Sequence, residues 1–226
     1  MKNDKRIMWD MLSTKPWDRN YLRNRRTYII KYLSSAYRGI DEVLTRFLHI
    51  NHKYLVLIDL GFDVNSDREY ELQTADLLTG ELDFNGSRLG DTRKPDICVY
   101  HDENGIIIDN KAYGKGYSLP IKQADEMLRY IEENQKRDTA LNPNEWWRVF
   151  DNAVTKFYFA FISGEFTGSF KDRLENINRR SSVNGAAISS FNLLLLAEEI
   201  KSGRLSYHDA FAMFECNDEI RLQMAE

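Results

Sequence analysis

The chain has 226 residues, 42% of them hydrophobic, with 31 Lys or Arg against 35 Asp or Glu for a net charge of −4. That size and apolar content suffice for one substantial core and exclude a disordered chain, while a mildly acidic total excludes a whole-surface affinity for nucleic acid. No apolar run is long enough to span a bilayer, "MKNDKRIMWDML" lacks the charged-then-apolar pattern of a secretion signal, and Cys98 and Cys216 form no CxxC pair, so the expectation is a cytoplasmic protein with reduced thiols and no membrane partner.

Charge is unevenly spread along the chain. Residues 1–38 hold ten Lys or Arg against three Asp, a net of +7, which leaves the remainder at −11. This basic N-terminal segment reads either as a linker or docking helix able to lie along phosphates, or as a solvated stretch that neutralises an acidic body. Residues 39–226 read as that body. Apolar residues at helical spacing from about Arg26 to Leu60 predict two helices, and "REYELQTADLL" predicts another after a turn at "FDVNSD". The glycine-punctuated "GELDFNGSRLGDT" reads as loop. A hairpin follows, Ile97–Tyr100 and Ile106–Lys111 about the turn "HDENG". Beyond the loop that ends at Pro120, "IKQADEMLRYIEENQKR" is an amphipathic helix, and "NPNEWW" is a turn feeding a helix with Asn142 or Asn144 as cap. "KFYFAFISG" and "GAAISS" are strands, with helices after them at "FNLLLLAEEIKSG" and "YHDAFAMF". Strands separated by helices predict an α/β fold, a mixed β-sheet flanked by helices.

The hairpin carries the chemistry. In "RKPDICVYHDENGIIIDNKAY" (93–113), folding about the turn sets Ile97 against Ile108 and Tyr100 against Gly105, so Asp96 falls opposite Asp109. Facing residues on antiparallel strands have Cβ atoms roughly 4.5–5.5 Å apart, from which two carboxylates can hold one divalent cation. Strand alternation places Lys111 on the face of Asp109 and turns Asn110 away. Oxygen-only ligands with open positions suit Mg²⁺, with the Asn110 carbonyl as a further donor. The bland alternative is a cross-strand salt bridge at an exposed sheet edge.

The same stretch and its surroundings resemble the cleavage domains of FokI-type IIS restriction endonucleases, members of the PD-(D/E)xK nuclease class. The likeness rests on "TRKPD" (92–96), "IDNKAY" (108–113), "GYSLPIKQADEMLRYIEENQKR" (116–137), "NPNEWW" (142–147) and "FISG" (161–164). It implies a restriction-endonuclease-like core, an Mg²⁺ cofactor that Mn²⁺ can replace, and double-stranded DNA as substrate. Asp96 and Asp109 then bind the metal and Lys111 completes the catalytic set. Glu71 matches the family's helical glutamate, or is an exposed helix residue. Arg88, Arg93 and Lys94, the basic residues upstream of Asp96, are the DNA-contact candidates. Asp125 and Arg129 are either an ordinary i, i+4 pair on one helix face or, as the family implies, an isologous contact with a second copy. The family also joins its cleavage domain to a DNA-recognition part, a domain or subunit this chain would need as partner. Two departures stand near the site: "GDTRKPD" adds Asp91, and Asn110 replaces a threonine. A catalytically silent DNA-binding module of the same fold and a structure-specific nuclease are the alternatives. His49 and His52, one helical turn apart without a third ligand, read as packing or surface residues, and Trp146, Trp147 and the Phe157, Phe159, Phe161 alternation read as core.

Overall fold

The computed structural model describes residues 46–90 and 93–222. The helix expected before residue 46 and the basic segment 1–38 lie outside the described residues. A 3-10 turn at His52–Leu55 leads into α1 (Val56–Leu60) and α2 (Asp67–Asp76), which runs on into a π-helical stretch, Leu77–Glu81. There follow β1 (Asn85–Arg88), β2 (Ile97–His101), β3 (Asn104–Lys111), α3 (Ile121–Lys136), β4 (Lys156–Ser163), α4 (Phe170–Ser181), β5 (Asn184–Ser189), α5 (Ser190–Lys201), α6 (Tyr207–Ala212) and β6 (Glu219–Ile220). The strands form one sheet in the order β1-β2-β3-β4-β5-β6. The first three pair antiparallel and the last four parallel, the mixed α/β architecture expected.

Both faces of the sheet are covered, which is why its central strands are apolar almost without interruption. Ile106 and Ile108 of β3, with Tyr158, Ala160 and Ile162 of β4, pack into a core shared with α1, α2, α5 and α6. Ile107, Phe159 and Phe161 point the other way, into a second core with α3, α4, Trp146 and Trp147. The tryptophans and the phenylalanine stripe are therefore core, with Phe157 at its edge. Two contacts fix the sheet end that matters. Gly61, at the end of α1, lies so close to Gly164, after β4, that a Cβ on Gly61 would sit 2.7 Å from the Gly164 Cα. The Gly61 carbonyl in turn accepts the Tyr113 N–H at 2.9 Å, just past β3. At the first described turn, the buried Glu198 carboxylate of α5 accepts the N–H groups of Leu48, His49 and Ile50, and contacts His49 Nδ1 at 2.5 Å.

The structure departs from the sequence reading in five places. The stretch predicted as loop contains β1, whose "NGSR" is exposed over its first three residues, with Arg88 part-buried, and carries no apolar side chain to alternate. Gly86, at φ +126, lets that edge approach β2, since a Cβ there would lie 2.2 Å from the Cys98 carbonyl oxygen. The helix α4 and the two-residue β6 have no counterpart among the predicted elements, although α4 buries Phe170, Leu174 and Ile177 at regular helical spacing. The hairpin turn is tighter than "HDENG", with only Asp102 and Glu103 between the paired His101 and Asn104. After Asn144, whose Oδ1 accepts the Trp146 N–H at 3.2 Å, the expected helix is a single 3-10 turn, Trp146–Val149.

Candidate active site

The β2–β3 register pairs Ile97 with Ile108 and Tyr100 with Gly105, as the hairpin reading requires. Asp96 sits one residue before β2, and its backbone carbonyl accepts N–H bonds from Leu89 and Gly90 at 2.8 and 3.2 Å. Its carboxylate accepts the Asn110 N–H at 2.8 Å, which adds one more rung across to β3. Asp109 and Lys111 project from the same face of β3. The Lys111 ammonium donates to Asp109 Oδ1 at 2.7 Å and approaches Asp96 Oδ2 at 3.4 Å. The three charged groups thus converge at one end of the sheet, with side chains only 16%, 10% and 27% exposed for Asp96, Asp109 and Lys111.

Electrostatics here are dominated by crowding. Burial pushes the Asp109 carboxyl well above the ordinary carboxylate range, Lys111 opposes that shift, and the neighbouring Asp96 adds to it. Burial alone would lower the Lys111 pKa, but the charges of Asp109 and Asp96 outweigh it and raise the value, so the ammonium stays charged. Two carboxylates against one ammonium leave a negative charge without a partner in a poorly solvated place. A hard divalent cation is what such an oxygen-only donor set accommodates. Among the described residues no three His, Cys, Asp or Glu close around an ion, so positions beyond the two carboxylates would fall to water and substrate oxygens.

Other candidates are placed differently. Asn110 turns its side chain off the face of Asp109 and Lys111, where Nδ2 donates to Thr74 Oγ1 at 2.7 Å and Oδ1 is buried without a hydrogen-bond partner among the described residues. Glu71 borders the site, raised in pKa by burial and then by Asp96, but its carboxylate is held by Arg88 at 2.7 and 2.8 Å. That ion pair joins α2 to β1 and occupies one of the three DNA-contact candidates. Arg93 is exposed, at φ +67, and Lys94 is half-buried. Asp125 and Arg129 do not pair with each other. Asp125 Oδ1 binds Arg180 of α4 at 2.8 Å, while Arg129 contacts Glu126 at 3.3 Å and Glu133 at 3.6 Å and lies over the Tyr130 ring.

The sequence reading missed Asp67. It stands one helical turn before Glu71 on α2. Burial raises its pKa, Lys111 and a hydrogen bond from the Ala112 N–H lower it, and Asp96 raises it again. Asp67, Glu71 and Lys111 line a cavity of about 330 Å³ with the exposed Val64 and Tyr113 at its rim. The i, i+4 spacing was the available signal, because any helix that brings Glu71 to the site brings Asp67 with it.

A model of the FokI cleavage-domain family matches residues 22–221. The chain belongs to the FokI cleavage-domain family. It is 40% identical over 184 residues to the type II restriction enzyme FokI of Planomicrobium okeanokoites, covering 80% of this chain and 32% of that protein. It is 32% identical over 170 residues to the type II restriction enzyme StsI of Streptococcus sanguinis, covering 74% and 28%. The solved structures of FokI alone and bound to DNA superpose with TM-scores of 0.77 and 0.78 at 39% identity, over 80% of this chain and 33% of theirs. The chain therefore spans about a third of the length of these relatives. The match to the family begins at residue 22, inside the basic segment set apart by charge alone.

Proposed function

We propose that this FokI-type domain is a magnesium-dependent endonuclease that hydrolyses phosphodiester bonds of double-stranded DNA. It has little sequence preference of its own, acts in the cytoplasm of a bacterial cell, and is positioned by a recognition domain or subunit as the cleavage module of a type IIS restriction enzyme. The observation that carries this reading is the convergence of Asp96, Asp109 and Lys111 within hydrogen-bonding reach at one sheet end. Bound there by Asp96 and Asp109, a Mg²⁺ or Mn²⁺ ion would supply Lewis acidity at the scissile phosphate and lower the pKa of an attacking water. The raised pKa of Lys111 favours a cationic role, orienting that water or neutralising the phosphate, over that of a general base. Arg93 and Lys94 stand on the approach to Asp96 as phosphate contacts, and Glu71 as a neighbour that steadies the site through Arg88.

One site cuts one strand, so a double-strand break takes two copies. Asp125 and Arg129 would meet their counterparts about a two-fold axis, and to do so must leave Arg180, Glu126 and Glu133. The test is cleavage of duplex plasmid across a range of protein concentrations. Double-strand cutting that rises more steeply than linearly supports pairing. Loss of cutting in Asp96→Ala, Asp109→Ala and Lys111→Ala, each still unfolding cooperatively, supports the site. DNA retention without nicking by the wild-type chain would instead mark a silent binding module, with residues 1–38 setting a steep salt dependence.

A further inference from the structure

Two apolar side chains stand open to solvent at the mouth of the acidic cluster. Tyr113 is 53% exposed and Val64 54%, and both line the cavity of about 330 Å³ that Lys111, Asp67 and Glu71 also line. Exposed apolar groups scattered singly over a surface need no explanation. These two are not scattered. Tyr113 lies two residues beyond Lys111, and a Cβ on the next residue, Gly114, would come within 3.9 Å of Val64 Cγ1. The tyrosine is also braced for contact. Its N–H donates to the Gly61 carbonyl at 2.9 Å, and its ring leans on that of Tyr117 at 5.9 Å and 54°. Tyr117 is only 3% exposed and stitched in place, with its N–H on the Glu165 carbonyl at 2.8 Å and its own carbonyl on the Thr167 N–H at 3.0 Å. A ring backed in this way loses little freedom when a ligand covers its open side.

The walls of the cavity divide by chemistry. Lys111 offers a cation to one phosphate, the acids Asp67 and Glu71 disfavour a second, and Tyr113 with Val64 offers an uncharged apolar face. A DNA strand alternates in the same way, with an anionic phosphate followed by the mostly apolar flank of a deoxyribose. Bases in a duplex are stacked on one another and present no open ring face unless they are flipped out, so the sugar is the group that meets the tyrosine. We propose that Tyr113, with Val64 beside it, packs against the deoxyribose next to the phosphate that Lys111 engages. The inference rests on the nuclease reading of the site and deepens it.

The test is the kinetics of duplex cleavage in Mg²⁺. Tyr113→Ala should raise KM about tenfold, the worth of covering roughly half a tyrosine side chain, with kcat within twofold of wild type. Tyr113→Leu keeps an apolar face without a ring and should recover most of the loss. Val64→Ser, which leaves the tyrosine pair untouched, should raise KM about threefold. The slope of log KM against log salt should match wild type in all three, because no phosphate contact is removed. A KM within twofold of wild type in both Tyr113→Ala and Val64→Ser would overturn the inference, as would a fall in kcat at unchanged KM. Tyr113→Leu as weak as Tyr113→Ala would assign the ring to a base instead of a sugar, and a salt slope shallower by about one would assign it to a phosphate; either overturns the proposal. A wild-type chain that cuts no duplex would remove the nuclease reading and this inference together. An active wild type matched by the variants removes this inference alone.

Discussion

The sheet end and the α3–α4 face both bring acids and bases together, but in different surroundings. Asp96, Asp109 and Lys111 are mostly buried and their charges do not cancel. Asp125 and Arg180 are about half exposed, at 55% and 53%, and satisfy each other. Screened pairs in water contribute little and exchange partners easily. Unbalanced buried charges are costly, and a fold retains them where they have work to do. On the proposed reading, the contrast separates the site that does the chemistry from the surface that re-pairs with a second copy.

The largest effect to expect is from Asp96→Asn or Asp109→Asn, which should slow duplex cleavage by about a thousandfold or more. Asp109→Asn also relieves the repulsion with Asp96, so its thermal midpoint should hold or rise. A marked fall in that midpoint would mean that the carboxylates are structural. Lys111→Met separates stability from chemistry. With its ammonium gone the two carboxylates face each other, and unfolding free energy should drop by on the order of 3 kcal/mol. Added Mn²⁺ should restore more of that loss than it adds to the wild type, and equal gains in both would count against the two carboxylates as the cation's ligands.

Much of this contrast was legible in the residues. Strand alternation and the facing of Asp96 and Asp109 follow from where "PD" and "DNK" sit about a short turn, and the register bears them out. Asp67 was legible only through its i, i+4 spacing from Glu71, because it reaches the site through the packing of α2 on the sheet, a contact distant in sequence. The partners of Arg88 and Asp125 were hidden for the same reason, since Glu71 and Arg180 lie 17 and 55 residues away. β1 escaped because an exposed edge strand such as "NGSR" has no apolar period to read.

Smaller effects test the scaffold and then the surface. Burial alone would raise the Glu198 pKa, but the His49 side chain and the N–H groups of His49, Ile50 and Leu48 outweigh it and bring the value below the ordinary glutamate range. A depressed acid pKa contributes stability that is fully present above the unfolded value of about 4.3 and lost as pH falls through the folded value. Glu198→Gln should therefore cost roughly 1–3 kcal/mol at neutral pH, and the gap from wild type should close in melts below about pH 4. A pH-independent gap would assign the loss to shape. Smallest of all, Arg180→Ala frees Asp125 and should raise double-strand cutting at limiting protein by about fivefold at most, with Asp125→Ala acting in the opposite sense. No change in either, measured by sedimentation on duplex DNA, would place the contact between copies elsewhere.

The central claim is that two carboxylates beside a lysine hold the cation that makes this domain cut DNA. It is tested most directly by titrating Mg²⁺ into wild type and Asp109→Asn with duplex plasmid and following strand breaks. Saturable cleavage by the wild type, none under chelation, and an inert variant at every concentration are the predicted results. Breaks that persist in chelator, or a variant that cuts as wild type does, would contradict it.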